Sequence, residues 1–252
     1  MSGVLYLLPA PLQAYDKENA SDALLWQQIP AKALQLFRTL PVLIAESEKT
    51  ALRLLSRLRS SEEMASLELR LLNEHSQPED IIAACSPLMA GIDCGFFSDA
   101  GEPCVADPGA ALVAAAHERN IKVVPIAGPS SILLGLMASG LDAQRFCFLG
   151  YLPQEKKSRV QTLRQIASQF GKDKITRLFI ETPYRNEALW QDCLKTLPKD
   201  FYLGIGQNIC GVDEYIDCKT VHEWGSLPFV PVKSPAIFMF GEKAGICPSN
   251  TR

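Results

Sequence analysis

Short apolar runs alternate along the chain with longer stretches in which apolar residues recur every three or four positions. Val42–Ala45 and Cys94–Phe97 are unbroken apolar runs, which are typical of strands covered on both faces. Residues 46–58 have helical spacing instead, with Leu52 and Leu55 expected to face inward. Another helix is expected from Pro78 to about Met89. Strands and helices alternate in this way up to about residue 139, which predicts a largely parallel sheet covered by helices.

Beyond residues 140–143 the balance of the pattern changes. Predicted strands now outnumber predicted helices; the strands are 146–149, 178–181, 201–206, 214–218 and 236–240, and the helices are 155–170 and 186–197. A sheet of this composition is mixed rather than purely parallel. The predicted fold class is therefore α/β with two α/β domains, residues 1–143 with a mostly parallel sheet and residues 144–252 with a mixed one.

One loop combines glycine, proline and acidic residues where α/β sheets usually bind ligands. It covers residues 97–109, between an apolar strand and a helix-forming run. Glycine permits positive φ and proline fixes φ, so such a loop can bring bare main chain close to a ligand. Asp107 also suits the N-cap of the next helix and Pro108 its first position, so an ordinary capped turn is the alternative interpretation.

Composition limits the class of protein. The chain has 252 residues, 47% of them hydrophobic and 21% charged, which is typical of a soluble globular protein. No apolar run reaches the roughly 18 residues that a membrane span needs, and the first residues lack the basic start of a signal peptide. The eight cysteines show no paired metal-ligand spacing, so we expect reduced thiols, no metal site and a cytoplasmic location.

Charge is distributed unevenly. Residues 1–143 carry 10 Lys and Arg against 17 Asp and Glu, a balance of −7, whereas residues 144–252 carry 15 against 11, a balance of +4. The second half is therefore the expected side for a phosphate-bearing partner, although a solvated helix face would give the same pattern. Its densest basic region comprises Lys156, Lys157, Arg159, Arg164, Lys172, Lys174 and Arg177.

Several motifs resemble one known family. The segment SDAGEPCVADPG resembles the SDAGTPxxSDPG signature of the tetrapyrrole methylase superfamily, in the branch that methylates the ribose 2′-hydroxyl of a cytidine in small-subunit ribosomal RNA. Further similarities follow in the expected order, and the resemblance covers about residues 4–241. They are LYLLPAP at 5–11, NEHS at 73–76, PIAGPSS at 125–131, FLGYLP at 148–153 and ETPYR at 181–185.

This resemblance implies the fold, the cofactor and the site. It implies two α/β domains with S-adenosyl-L-methionine bound in the cleft between them, and a homodimer. The implied cofactor-binding residues are Pro11, Leu12, Asp99, Ala100, Gly101, Glu102, Cys104, Val105, Ser130, Ser131, Pro235 and Ala236. The implied substrate-binding residues are Glu74, His75, Glu181, Tyr184 and Arg185. For the two serines, simple capping of a helix is the alternative interpretation.

A ribose hydroxyl is a poor nucleophile, so a general base or a polarising cation would help the reaction. The sequence leaves the catalytic residue open among Glu46, Glu74, His75, Asp99, Glu181 and Arg185. His75 is as compatible with a structural role as with that of a base, and Glu181 with an ion pair to Arg185.

The chain departs from the family pattern mainly outside the cofactor loop. Residues 10–14 replace TPIGN, residues 46–49 replace EDTR, and Gln207-Asn208-Ile209-Cys210-Gly211 replaces RELTK. The cofactor loop is thus better kept than the positions expected to face the substrate, which supports methyl transfer more than it supports a particular acceptor. The expected acceptor is small-subunit ribosomal RNA or the small ribosomal subunit. A tetrapyrrole or protein acceptor, and a non-catalytic protein that binds S-adenosylmethionine or RNA, stay as alternatives.

Overall fold

The computed structural model describes residues 2–12 and 27–245. The chain divides into two compact units, an N-terminal unit of Met1–Ser130 and a C-terminal unit of Ser131–Arg252. The expected boundary after residue 143 falls later than this division. The reason is that the helix Ser131–Ser139 packs on the second sheet, where Gly135 lies against Ile237.

The N-terminal unit contains a five-stranded, entirely parallel sheet. Its strands are β1 (Val4–Leu7), β2 (Val42–Ala45), β3 (Glu68–Leu71), β4 (Cys94–Phe97) and β5 (Lys122–Pro125), in the spatial order β3-β2-β4-β1-β5. Neighbouring strands are parallel throughout, for example Leu5 opposite Cys94 and Leu43 opposite Gly95. The predicted parallel sheet is confirmed.

Helices cover both faces of this sheet. They are α1 (Ala31–Thr39), α2 (Glu48–Leu58), α3 (Ser61–Ala65), α4 (Pro78–Ala84), α5 (Ser86–Met89) and α6 (Gly109–Glu118). One core contains Leu5, Ile44 and Phe96, and the other contains Leu43 and Phe97. Because the odd and even positions of β2 and β4 point into different cores, both strands are apolar at every position.

Two details of the helices differ from the prediction. Leu52 is 42% exposed, and α2 instead buries Ala51, Leu54, Leu55 and Leu58, which follow the i, i+3, i+4, i+7 rule. The helix expected over residues 78–89 is broken at Cys85, because Pro87 has no N–H for the carbonyl of Ala83. Arg70 Nη1 donates to that carbonyl at 2.5 Å and satisfies it.

The C-terminal unit contains the mixed sheet that the sequence predicts. Its strands are β6 (Phe146–Tyr151), β7 (Thr176–Glu181), β8 (Tyr202–Gln207), β9 (Tyr215–Thr220) and β10 (Ala236–Gly241), in the order β6-β7-β10-β8-β9. Only the β6–β7 pair is parallel. The helices are α7 (Ser131–Ser139), α8 (Lys156–Asp173), α9 (Asn186–Thr196) and α10 (Val221–Gly225).

Aromatic side chains dominate the core of the C-terminal unit. Trp190 and Trp224 pack edge to face at 5.0 Å, and Phe179 stacks on Phe238 at 5.6 Å. Each ring removes a large apolar area from water, so this core supplies much of the unit's stability.

Among the described residues, no helix is both long enough and apolar enough to span a bilayer.

Candidate active site

The carboxyl ends of the parallel strands carry most of the residues that the sequence singled out. The chain leaves β2 toward β3 at one edge of the sheet and leaves β4 toward β5 at the other edge. In open α/β sheets, ligands bind at such a change of direction, outside the carboxyl ends of the strands. Glu46 follows β2 and Asp99 follows β4 at this place.

Main-chain hydrogen bonds join the loop after β1 to the loop after β4. The N–H of Ala10 donates to the carbonyl of Gly101 at 2.9 Å, and the N–H of Gly101 donates back at 3.0 Å. Gly101 has φ +74°, and a Cβ there would lie 3.1 Å from Leu12 Cδ2 and 3.4 Å from the carbonyl of Pro129. The structure therefore brings the predicted segments 11–12 and 99–102 together, with Pro129, the neighbour of the predicted Ser130, beside them.

Glu102 holds the main chain at Gly128, just before Pro129 and Ser130. Its Oε1 accepts a hydrogen bond from the N–H of Gly128 at 2.5 Å. Burial raises the pKa of Glu102, and the Gly128 bond partly opposes that rise. A Cβ on Gly128 would lie 2.1 Å from the Pro9 Cβ, so only glycine fits there. Ser130 precedes α7 and Ser131 begins it, as the capping interpretation also predicts.

The second part of the loop is held by Asp107. Its Oδ2 accepts from the N–H of Cys104 at 2.6 Å, and its Oδ1 accepts from the N–H of Gly109 at 2.7 Å. Cys104 and Ala106 both have positive φ, 67° and 61°. Such conformations are costly outside glycine and persist only where surrounding contacts enforce them. Burial raises the pKa of the Cys104 thiol to about 12, so it is not a thiolate nucleophile.

Helix α6, which follows this loop, begins one residue later than the sequence predicts. Helix α6 begins at Gly109, and Pro108 is its N-cap residue rather than its first residue. Asp107 still satisfies the first free N–H of the helix, from one position earlier than expected. The predicted edge residues Ala100 and Val105 are exposed, Val105 by 51%.

Two carboxyl groups lie side by side at the switch between β2 and β4. The N–H of Asp99 donates to Glu46 Oε2 at 3.2 Å. Burial is the main cause that raises the pKa of Glu46, and the neighbouring charges of Asp99, Asp107 and Glu74 raise it further. Burial also raises the pKa of Asp99, against a hydrogen bond from the Thr50 side chain. Neither carboxyl forms an ion pair with a cation in residues 2–12 or 27–245.

Glu74 and His75 differ from this pair in their surroundings. Their side chains are 82% and 85% exposed and lie 3.6 Å apart, in the loop after β3. A solvated imidazole has no environment that would orient it as a base.

No group of three His, Cys, Asp or Glu side chains in the described ranges has the geometry to hold a metal ion.

The C-terminal unit holds the last predicted cofactor segment, Pro235-Ala236, at the start of β10. Asn186 Nδ2 donates to the carbonyls of Val232 at 3.1 Å and Ser234 at 2.7 Å. Gln207 Nε2 donates to the Val232 carbonyl at 2.9 Å. Both amides are buried, so they fix the loop that leads into this segment.

The role of Gln207 is one that sequence comparison missed. Position 207 lies where the family pattern has an arginine, and the change suggests a lost contact to substrate. In the structure, Gln207 is 2% exposed and its amide is used inside the unit. The only indication in the sequence is a polar side chain that ends the otherwise small and apolar run Leu203–Gly206. Asn208 and Cys210 then form a turn with positive φ.

The predicted substrate residues of the C-terminal unit separate into two kinds. Glu181 is 3% exposed, and its Oε1 pairs with Arg185 Nη2 at 2.5 Å, as the ion-pair interpretation expects. Tyr184 is 87% exposed. Glu181 and Arg185 therefore pair with each other, whereas the Tyr184 side chain is exposed.

Known proteins resemble the chain over most of its length. No protein-family model matches it. It is 31% identical over 215 residues to the ribosomal RNA small subunit methyltransferase I of Buchnera aphidicola (subsp. Schizaphis graminum), which covers 85% of this chain and 68% of that protein. The protein of the same name from Haemophilus influenzae is 28% identical over 227 residues, 89% of this chain and 73% of that protein.

The chain belongs to the ribosomal RNA small subunit methyltransferase I family. A solved structure of uroporphyrin-III-C-methyltransferase from Thermus thermophilus is similar in fold, with a TM-score of 0.53 at 17% identity. The similarity covers 96% of this chain and 93% of that one. The predicted superfamily, the α/β fold class and the assignment as a methyltransferase are thereby confirmed.

The N-terminal unit contains the most specific sequence motif of the ribosomal RNA small subunit methyltransferase I family. The conformationally special loop after β4, the family's SDAGTP-like segment, is the one that two main-chain bonds join to the loop after β1. The side-chain positions that depart from the family pattern, such as Ala10 and Gln207, leave this main-chain framework intact.

Proposed function

We propose that the chain is an S-adenosylmethionine-dependent methyltransferase that modifies small-subunit ribosomal RNA on the 2′-hydroxyl of a cytidine ribose. The observation that carries the proposal is the joined loop pair, Ala10 bonded to Gly101 with Pro129 beside it. It brings family-typical segments from three strand ends to one place in the N-terminal unit.

Two features of this unit fit S-adenosylmethionine. Gly101 has no side chain and a left-handed φ, which leaves its main chain open to a planar base. Glu46 and Asp99 are half-buried, burial raises the pKa of both, and neither pairs with a cation among the described residues. A ligand with a sulfonium and an ammonium group supplies the positive charge that these carboxylates lack.

The proposed cofactor-binding residues are those that the family resemblance implies. In the N-terminal unit they are Pro11, Leu12, Asp99, Ala100, Gly101, Glu102, Cys104, Val105 and Ser130. In the C-terminal unit they are Ser131, Pro235 and Ala236. Bound S-adenosylmethionine supplies an already activated methyl group, so positioning of the acceptor hydroxyl provides much of the rate.

Glu46 and Asp99 are the best-placed candidates for removing the proton of the acceptor hydroxyl. A carboxylate whose pKa is raised by burial is a stronger base than a solvated one. Glu74 and His75 are solvated, and Glu181 is used by Arg185. The pair at the switch between β2 and β4 is therefore proposed as the acid–base element.

The test combines binding and transfer. Calorimetry should give a saturable heat with S-adenosylmethionine and with its demethylated product. Incubation with unmodified small subunits and methyl-labelled S-adenosylmethionine should label the RNA on a ribose, and nuclease digestion with mass spectrometry should locate the label on a 2′-oxygen. Heat of binding with no transfer to any RNA would instead support the non-catalytic alternative.

Two finer expectations belong to the same proposal. We propose a homodimer, which light scattering on the purified protein checks, and a cytoplasmic location, which cell fractionation checks. A tetrapyrrole or protein acceptor would be supported if small subunits stayed unlabelled while one of those substrates accepted the methyl group.

A further inference from the structure

The basic region of the C-terminal unit consists of two groups that the sequence could not separate. Arg159, Lys174 and Arg177 are used inside the unit, since they pair with Asp192, Glu242 and Asp173 at 2.5–2.6 Å. Four others are exposed and form no ion pair within the described residues. They are Lys156, Lys157, Arg164 and Lys172.

Three of the outward cations lie on one side of the N-terminal half of α8. Lys157, Gln161 and Arg164 follow helical spacing, and Lys156 lies beside them in the first turn. They line an open hollow of about 520 Å³ together with Glu155 and Val160. Two of the free N–H groups of the first turn are already used, because Glu155 accepts from Lys157 and Ser158 at 2.8 and 2.7 Å. Any anion here is therefore recognised by the basic side chains.

A buried ion pair fixes where this face lies. Arg159 donates from Nη2 to Asp192 Oδ2 at 2.6 Å, and from Nη1 to the carbonyl of Gln154 at 2.7 Å. These bonds join α8, α9 and the loop after β6. Because β6 and β7 are parallel neighbours, the helices that follow them begin at the same end of the unit. Tyr184, two residues before α9, stands at that end with 87% of its surface exposed.

We propose that this surface, Lys156, Lys157, Arg164 and Tyr184, docks the RNA substrate. The proposal rests on the proposed function, since it names the contact surface for the same substrate. Three cations without acidic partners complement consecutive phosphates, and an exposed ring offers a face on which an unpaired base stacks. The distribution of charge agrees: residues 131–252 carry 15 Lys and Arg against 12 Asp and Glu, whereas residues 1–130 carry 10 against 16.

The test compares two triple variants with the same loss of charge. One is Lys156→Gln/Lys157→Gln/Arg164→Gln. The control is Lys172→Gln/Lys195→Gln/Lys199→Gln, which removes three exposed lysines at the opposite end of α8 and α9. Filter binding with purified small-subunit ribosomal RNA, repeated over a range of salt concentrations, measures Kd and its salt slope.

We expect the docking variant to bind RNA roughly 10- to 100-fold more weakly at 0.1 M salt, with a slope of log K against log salt that is smaller by about 2, since each phosphate contact contributes about 0.7. Affinity for S-adenosylmethionine should stay unchanged. Equal losses in the two triple variants would overturn the proposal, because general charge would then explain binding. A normal RNA Kd with weakened binding to intact small subunits would point to a ribosomal protein and also overturn it.

Tyr184 is tested separately. Tyr184→Ala should raise the RNA Kd about fivefold or more without changing the salt slope, and Tyr184→Phe should restore it, because stacking needs only the ring. Loss in the phenylalanine variant equal to that in the alanine variant would contradict stacking. Wild-type protein that binds RNA through this surface but transfers no methyl group would refute the proposed function and leave the docking surface in place.

Discussion

The two units differ in whether their buried charged side chains form ion pairs. In the C-terminal unit each strongly buried cation has a carboxylate partner, as in Arg159–Asp192, where both side chains are 6% exposed. At the strand ends of the N-terminal unit, Glu46 and Asp99 are half-buried beside each other with no described cation paired to them. Paired charges lock a fold in one arrangement, whereas unpaired ones of the same sign leave a site that a cationic ligand stabilises.

Backbone conformation follows the same contrast. The N-terminal loop holds Cys104 and Ala106 at positive φ next to Gly101, close to the proposed cofactor site. In the C-terminal unit, Asn208 and Cys210 also have positive φ, but they form a turn whose Ile209 side chain packs on Gly135 and Gly206. The strained residues of the first unit therefore lie at the proposed ligand site, whereas those of the second flank a packing contact.

The largest expected effect tests the structural role of paired charge. Asp192→Ala leaves Arg159 buried without its carboxylate, which should lower the free energy of unfolding by about 3–5 kcal/mol. Urea denaturation measures the loss. The control is Glu187→Ala on the exposed side of the same helix, for which we expect a loss of no more than about 1 kcal/mol. Similar losses for both variants would break the contrast.

The second prediction concerns the unpaired carboxylates. Glu46→Gln should lower the methyl-transfer rate about 100-fold if Glu46 is the base. Its free energy of unfolding at pH 7 should equal or exceed that of wild type, because burial disfavours the charged carboxylate and the neutral amide still accepts from Asp99 N–H. Glu48→Gln, an exposed neighbour, is the control. A variant that is less stable but fully active would show that Glu46 is structural.

The third prediction uses two glycines with the same conformation. Gly101 and Gly140 have φ +74° and +69°, but only Gly101 has neighbours within 4 Å of an added Cβ. Alanine at either position should lower stability by roughly 1–2 kcal/mol. Only Gly101→Ala should also weaken S-adenosylmethionine binding, as measured by calorimetry. Unchanged cofactor affinity in Gly101→Ala would move the proposed site away from this loop.

The smallest expected effect is a pH dependence. Ionised Glu46 and Asp99 attract a cation and their protonated forms do not, so affinity for S-adenosylmethionine should rise as pH increases through their raised pKa values and level off above them. We expect about a fivefold rise, the size of a roughly 1 kcal/mol attraction between partly solvated charges. The demethylated product has a neutral sulfur and should show a shallower rise. Identical curves for the two compounds would contradict a role for these carboxylates.

Local sequence patterns predicted the strands and most helices because each has a clear apolar period. Short helices were missed, since Ser61–Ala65 and Val221–Gly225 each depend on a capping box rather than on periodicity. The loop after β4 could be recognised from its glycine and prolines. Its partner Ala10 could be placed only by resemblance, because the bond to Gly101 joins main-chain atoms whose contact depends on the sheet.

Side-chain partners were the least predictable feature. Arg159 looks like its basic neighbours in the sequence, and only the position of Asp192, 33 residues later, separates it from them. Gln207 likewise acquires its role from Val232, which is 25 residues away. Such pairings depend on how helices pack over the sheet, which no local pattern encodes.

The bond pair between Ala10 and Gly101 uses no side-chain atom from position 10. The link therefore makes no demand on the chemistry of the side chain at position 10, but Ala10 is fully buried, so only a small residue fits there. Gly101 itself is held to glycine by its conformation. Small substitutions at position 10 are thus a route by which a lineage, or a protein engineer, could alter the surroundings of the proposed donor site and explore new acceptors.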